Sequence, residues 1–270
     1  MGDGRIGKVA LGTAVVTGAS AGIGKIYADR LAKRGYDLLL VARRAELLDE
    51  LAKSLEADHG VSVRTSAADL SSPKALEDLA QAIAHDDSVS MLVNNAGTST
   101  LGALASTGPA DVSAMTDLNI SALARLTLAV LPRFKARNRG TIINIGSVLG
   151  FHTLPISSAY SGTKGYVLNF TRGLQDELAG SEVKVQLVLP AATATDIWEI
   201  SGVPLSALDP ASIMAPEDMV DAALAGLDQG ETITLPSVEN IKLFEAYDAA
   251  RMELLLASQT GKPASRYVST

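Results

Sequence analysis

Tyr160, Lys164 four residues further on, and Ser147 thirteen residues upstream are residue types that together can move a proton. An isolated phenol titrates near pH ~10, so at neutral pH it works as an acid or base only where a neighbour stabilises its phenolate. On a helix the side chains at i and i+4 share a face, and this spacing sets the Lys164 ammonium beside the Tyr160 oxygen. Ser147 stands at the end of an apolar run, residues 141–145. A Tyr and a Lys four apart recur by chance, so other segments must support the reading.

One such segment is Thr17-Gly18-Ala19-Ser20-Ala21-Gly22-Ile23-Gly24, which follows the first apolar run and precedes a stretch of helical periodicity. In a strand-to-helix turn Gly18 permits the bend, Gly22 lets the backbone approach a pyrophosphate, and Gly24 lets the helix close on the sheet. The helix amino end attracts the phosphate charge. The spacing is G-x-x-x-G-x-G rather than the commoner G-x-G-x-x-G. The second apolar run ends Ala42-Arg43-Arg44. An Asp or Glu there would accept from ribose hydroxyls, whereas Ala42 accepts nothing and Arg43 can pair with a 2′-phosphate. NADP(H) is therefore expected over NAD(H). Asp69, followed by Leu70, either contacts the adenine or caps the helix that opens at Pro73.

The composition narrows the field. With 47% hydrophobic and 20% charged residues, a packed globular fold is expected. The net charge of -7 and the absence of a long basic stretch speak against nucleic acid as a partner. A chain without cysteine has no disulfide and no thiolate ligand, and His59, His85 and His152 lack ligand spacing, so no metal site is expected. Residues 1–8 carry no apolar leader, and no later run approaches the ~18 apolar residues that cross a bilayer, so the expectation is a cytoplasmic protein with no membrane partner.

Val-, Ile- and Leu-rich runs alternate with helical periodicity, which is the rhythm of βαβ units around a parallel sheet. Strands are predicted at 13–17, 37–41, 62–67, 91–94, 141–145, 184–189 and 232–235, and helices at 23–33, 45–59, 73–85, 110–137, 157–179 and 216–228. The expected fold is α/β, a Rossmann-type doubly wound sheet of seven parallel strands in a single domain over 1–270. Residues 191–215, interrupted by Gly202, Pro204 and Pro210, are placed as a ligand lid at the carboxyl end of a strand. The extension 241–270 has helical spacing and packs either on its own domain or on a neighbouring subunit.

The glycine turn, Asn94-Asn95-Ala96-Gly97, Asn119, Ser147 and Tyr160-x-x-x-Lys164, in that order, resemble the short-chain dehydrogenase/reductase family over roughly residues 9–235. The resemblance implies an oxidoreductase that interconverts a carbonyl and an alcohol by hydride transfer. In it Tyr160 is the general acid/base and Ser147 holds the substrate oxygen. Lys164 binds the nicotinamide ribose and lowers the Tyr160 pKa, and Asn119 kinks its helix and helps hold a water chain. Asn95, Ala96 and Gly97 would line the adenosine side, and Pro190 and Thr195 the nicotinamide. Similar proteins follow that proline with Gly; here Ala191 stands in its place, which a backbone of negative φ tolerates.

Substrate contacts are expected from the segment holding Phe151, His152 and Leu154, and from Ile197, Trp198 and Ile200 in the lid. Trp198 either closes over an apolar substrate or packs within the lid. A largely apolar ketone, aldehyde or secondary alcohol is implied, and the long helices imply a homodimer or homotetramer. The competing reading is a catalytically idle NADP-binding redox sensor or scaffold, which would be expected to have lost Ser147, Tyr160 or Lys164. A nucleotide-sugar epimerase or dehydratase would be expected to carry a larger carboxyl-terminal domain.

Overall fold

A computed structural model describes residues 11–268; the stretch 1–8, expected to carry no leader, lies outside them. Residues up to Pro236 form one compact unit and Ser237–Thr270 a second. The first holds seven parallel strands: β1 (Thr13–Thr17), β2 (Asp37–Ala42), β3 (Val63–Ala67), β4 (Val89–Asn94), β5 (Gly140–Ile145), β6 (Val183–Val188) and β7 (Ile233–Thr234). Their order is β3-β2-β1-β4-β5-β6-β7.

The inner strands are largely apolar because both of their faces are covered, whereas the edge strand β3, Val-Arg-Thr-Ser-Ala, is not. Ala14, Val16, Leu38 and Leu40 pack with α1 (Gly22–Arg34), α2 (Ala45–His59) and α8 (Pro216–Gln229). The alternating residues Val15, Leu39 and Val41 pack on the other side with α3 (Pro73–Ala84), α5 (Leu123–Ala136) and α6 (Ser158–Glu177). α1 ends on Gly35 at φ 95°, and prolines open α3 and α8, as the sequence predicts. β7 keeps only two residues of the predicted four.

The predicted helix 110–137 is built in three parts: α4 (Pro109–Thr116), a π-helical turn at Asp117–Ala122, and α5. The wide turn carries Asn119. Contrary to the sequence expectation, the run Pro109–Ala136 is long and apolar enough by length and composition to cross a membrane. Its apolarity has a packing reason, since Leu126, Val130 and Phe134 are buried against the sheet. Residues 191–215, the segment expected to be a lid, contain α7 (Ile197–Ser201) and are joined near their two ends by a bridge between Thr193 and Met214. The second unit carries α9 (Lys242–Ser258), none of whose residues is buried; Leu243, Leu254 and Leu256 are exposed.

A buried polar chain ties β4, β5, α5 and α6 together beneath the carboxyl edge of the sheet. Asn94 Nδ2 donates to Thr127 Oγ1 at 3.0 Å and to Asn144 Oδ1 at 2.9 Å, and Asn144 Nδ2 donates to Thr171 Oγ1 at 3.0 Å. Asn144 is fully buried. Asn144→Ala is expected to lower stability by about 1–3 kcal/mol, because it leaves polar partners unpaired in an apolar interior; chemical denaturation of the variant measures it.

Candidate active site

The loops at the carboxyl ends of the strands enclose a cavity of about 580 Å³. β1 and β4 are neighbours in the sheet, while the helices that follow β1 and β3 lie on opposite faces, so the strand order reverses there and a crevice opens. Thr17 holds the two walls together. Its Oγ1 donates to Val93 O at 3.1 Å and accepts from the N–H groups of Asn95 and Ala96, each at 3.0 Å. Asn95 Nδ2 donates in turn to Thr17 O at 2.9 Å.

Gly18 and Gly22 lie at φ +67° and +50°, backbone that favours glycine. A Cβ on Gly18 would fall 2.8 Å from Asn95 Nδ2. α1 has neither a side-chain cap nor an acidic residue in its first turn, so its amino-terminal N–H groups are left for an anion. Ser20, Ala21 and Ile23 line the cavity with these glycines. Gly24 does not line it. A Cβ there would run into the Gly18 carbonyl, so its part is the close packing of helix on turn.

Beyond β2, Arg43 and Arg44 line the cavity together with Asp69 and Leu70. Arg44 is the better anchored cation, donating from its guanidinium to Ser20 Oγ at 3.0 Å, a contact the sequence reading assigned to neither arginine. The Asp69 carboxylate accepts from Ser71 Oγ at 2.7 Å and Ser71 N at 3.0 Å. These bonds, with the Arg43 charge, hold its pKa below the usual value. It therefore braces the turn before α3 and also faces the cavity, while Ser72 takes the helix-cap position.

Ser147, Tyr160 and Lys164 come together on the wall formed by β5 and α6. Leu149 N donates to Ser147 Oγ at 3.1 Å, which fixes the serine at the strand end. The expected relation between Tyr160 and Lys164 is corrected here. Lys164 Nζ donates to Ile145 O at 2.9 Å and lies 5.7 Å from the Tyr160 ring centroid. Burial pushes the phenol up to about 12, and the opposing pull comes from its hydrogen bond with Ser147. Burial likewise brings Lys164 down to about 8. The pair thus favours a neutral phenol, the form that donates a proton.

Asn119 is buried behind the cavity wall rather than lining it. Its Oδ1 accepts from Thr98 N at 2.8 Å, and its Nδ2 donates to Thr98 O at 2.9 Å and to Thr163 Oγ1 at 3.0 Å. It fastens the loop after β4 to the helix that carries Tyr160, with both amide protons committed to protein groups. Gly97 packs against this side chain.

Pro190 and Thr195 line the cavity as expected of their positions, and Ala191 has ordinary backbone, since Asn138 is the only non-glycine residue of positive φ among those described. Trp198 lines the cavity, and its Nε1 donates to Thr193 O at 2.8 Å within the segment 191–215. Leu154 also lines the cavity, but His152 and Phe151 do not. Leu154 N donates to Ser157 Oγ at 2.8 Å, and the loop made this way leaves His152 exposed. Thr98, Ser99, Leu101 and Leu118 line the cavity unforeseen, the first three in the loop directly after a predicted strand.

Residues 12–202 match the model of the short chain dehydrogenase family. The very-long-chain 3-oxoacyl-CoA reductase-A of Danio rerio is 39% identical over 191 residues, covering 69% of this chain and 60% of that protein. The chain thus spans about three fifths of the length of that relative. A short-chain dehydrogenase from Sphingobium yanoikuyae, solved in complex with NADPH, is 40% identical, with a TM-score of 0.92 over 95% of this chain and all of the other. The bulky-bulky ketone specific alcohol dehydrogenase from Comamonas testosteroni is 36% identical, with a TM-score of 0.87 over 96% of this chain and 99% of the other. With the glycine turn, the Asn95 loop and the Ser147–Tyr160 wall around one cavity, the chain belongs to the short-chain dehydrogenase/reductase family.

Proposed function

We propose that this protein is an NADP(H)-dependent oxidoreductase that interconverts a bulky, largely apolar ketone and its secondary alcohol, with Tyr160 as the acid/base. The observation that carries this reading is Tyr160 beside Ser147 and Lys164 on the wall of a cavity that also holds the glycine turn and two arginines. The turn and the uncapped start of α1 suit a pyrophosphate. Arg43 and Arg44 suit a 2′-phosphate, with Asn95, Ala96 and Asp69 beside the adenosine. The nicotinamide dinucleotide of the family supplies or accepts a hydride.

The chain's own residues do the rest. The Ser147 hydroxyl donates to the carbonyl oxygen and orients it. Tyr160 gives its proton to that oxygen as negative charge develops there, and the Lys164 cation near the ring offsets the phenolate left behind. One hydride and one proton add across the C=O bond, and solvent returns a proton to the phenolate. Because burial holds the phenol near 12, Tyr160 is protonated across neutral pH, as reduction requires.

Apolar cavity residues, among them Leu101, Leu118, Leu154, Ile197, Trp198 and Leu208, support a bulky apolar substrate, as does the likeness to the Comamonas enzyme. The likeness to a chain bound to NADPH supports the cofactor. Exposed Leu128 on α5 and Tyr166 on α6 support a homodimer or homotetramer built on those helices.

Turnover of a bulky aryl ketone with NADPH, followed by loss of cofactor absorbance, tests the reading directly. Tyr160→Phe is expected to lower kcat by roughly 10²–10⁴-fold while NADPH affinity stays within a few-fold; unchanged turnover would remove Tyr160 from the mechanism. Arg43→Asp is expected to shift the NADPH/NADH ratio of kcat/KM by about tenfold or more, and an unmoved ratio would place the 2′-phosphate elsewhere.

Lys164 is charged in the unfolded chain up to about pH 10.4, but in the fold only up to about 8. Between these values the unfolded state binds more protons, so stability rises with pH, and below 8 the full cost of burying the cation is present. Lys164→Met is therefore expected to abolish turnover yet melt no lower than wild type at pH 7, its advantage shrinking from pH 8 to 10. Thermal melts across that range measure it.

A further inference from the structure

Three buried asparagines each donate a side-chain amide proton to a threonine hydroxyl at 3.0 Å: Asn94 to Thr127, Asn119 to Thr163 and Asn144 to Thr171. Two of these threonines stand on α6, and each passes its own proton to a main-chain carbonyl of the preceding turn. Thr171 Oγ1 donates to Val167 O at 2.7 Å, and Thr163 Oγ1 donates to Tyr160 O at 2.8 Å. The second carbonyl belongs to the residue assigned above as the acid/base. Thr163 is buried and does not line the cavity, so any effect it has on the reaction passes through another residue.

Chemistry fixes the direction of every bond along this path. A main-chain N–H only donates, so the Asn119 atom that meets Thr98 N at 2.8 Å must be Oδ1. Nδ2 then faces Thr98 O at 2.9 Å and Thr163 Oγ1 at 3.0 Å, which uses both of its protons. The Thr163 oxygen therefore accepts, and its single proton is left for Tyr160 O. Thr98 lines the cavity directly beyond Asn95, Ala96 and Gly97, the loop proposed to lie beside the cofactor. One hydroxyl thus joins that loop, through Asn119, to the main chain of Tyr160. Bonds in such a series polarise and strengthen one another.

Resting on the reductase reading above, we infer that Thr163 is a positioning residue for Tyr160: its hydroxyl holds the main chain of the acid/base in register with the loop after β4, so that the phenol meets the carbonyl in one geometry. Misplacement by about 1 Å can cost 10²-fold in rate, so a single anchoring bond has catalytic weight. Thr171 makes the same two kinds of bond, but its carbonyl partner, Val167, does not line the cavity; it ties α6 to β5 through Asn144 without touching the acid/base.

That likeness supplies the control. Thr163→Val keeps the branched shape without the hydroxyl, Thr163→Ala removes it with a better helix former, and Thr163→Ser keeps it. With NADPH and a bulky aryl ketone, the valine and alanine variants are expected to lose roughly tenfold to 10²-fold in kcat. Their Kd for NADPH is expected to stay within a few-fold of wild type, and the solvent deuterium isotope effect on kcat to rise, because proton donation is the step that slows. Thr163→Ser is expected to keep kcat within about threefold, and so is Thr171→Val, although the latter melts lower than wild type for loss of its buried bonds. A kcat unmoved in both Thr163→Val and Thr163→Ala, a serine variant as slow as they are, or an isotope effect that stays at the wild-type value would overturn the inference. So would an equal loss of kcat in Thr171→Val, which would reduce Thr163 to general support of α6. Absence of turnover by wild type on any neutral ketone would instead overturn the reductase reading, and this inference with it.

Discussion

Everything at the site depends on the reversal of strand order between β1 and β4. A parallel sheet aims all its carboxyl ends at one edge, and where neighbouring strands send their helices to opposite faces that edge must split. A split between two buried strands would expose main-chain groups, and Thr17 answers that need. One hydroxyl satisfies Val93 O, Asn95 N and Ala96 N together, leaving the crevice open above and sealed below. The glycine turn can then lie against Asn95 because Gly18 presents no Cβ to it.

The same economy governs the reacting wall. A phenol and an ammonium are enclosed on one helix, and both are pushed towards their neutral forms by loss of water. That is unfavourable for stability and favourable for proton donation to a carbonyl. The geometry around them is held by neutral hydrogen bonds that do not depend on pH: Asn119 to Thr98 and Thr163, and Asn144 to Asn94 and Thr171. Polar groups without titratable charge therefore position the groups that titrate.

Much of this was legible in the sequence, for identifiable reasons. Strands buried on both faces read as uninterrupted apolar runs, and the glycine turn, Ser147 and Tyr160 stand directly at the ends of such runs or on the helix that follows. What escaped depended on distance in the chain. The resemblance foretold a kink at Asn119, where the π-helical turn lies, but nothing local names the partners of its side chain, Thr98 and Thr163, 21 and 44 residues away. The i, i+4 spacing put Lys164 on the right face of its helix but could not show that Ile145 O competes for its ammonium. His152 was misplaced because a short loop between strand and helix has no periodicity to say which side chain turns inward.

The lid illustrates how charge and shape divide the work. Trp198 and its apolar neighbours bury surface without regard to direction, so they favour many bulky ketones about equally, and burial of this kind discriminates weakly between homologous substrates. A charge discriminates more sharply, since an anion gains most where fixed cations meet it. Arg43 and Arg44 beyond β2 would therefore draw the phosphates of a dinucleotide to that end of the cavity and leave the wall of Ser147 and Tyr160 to the smaller, uncharged reacting group.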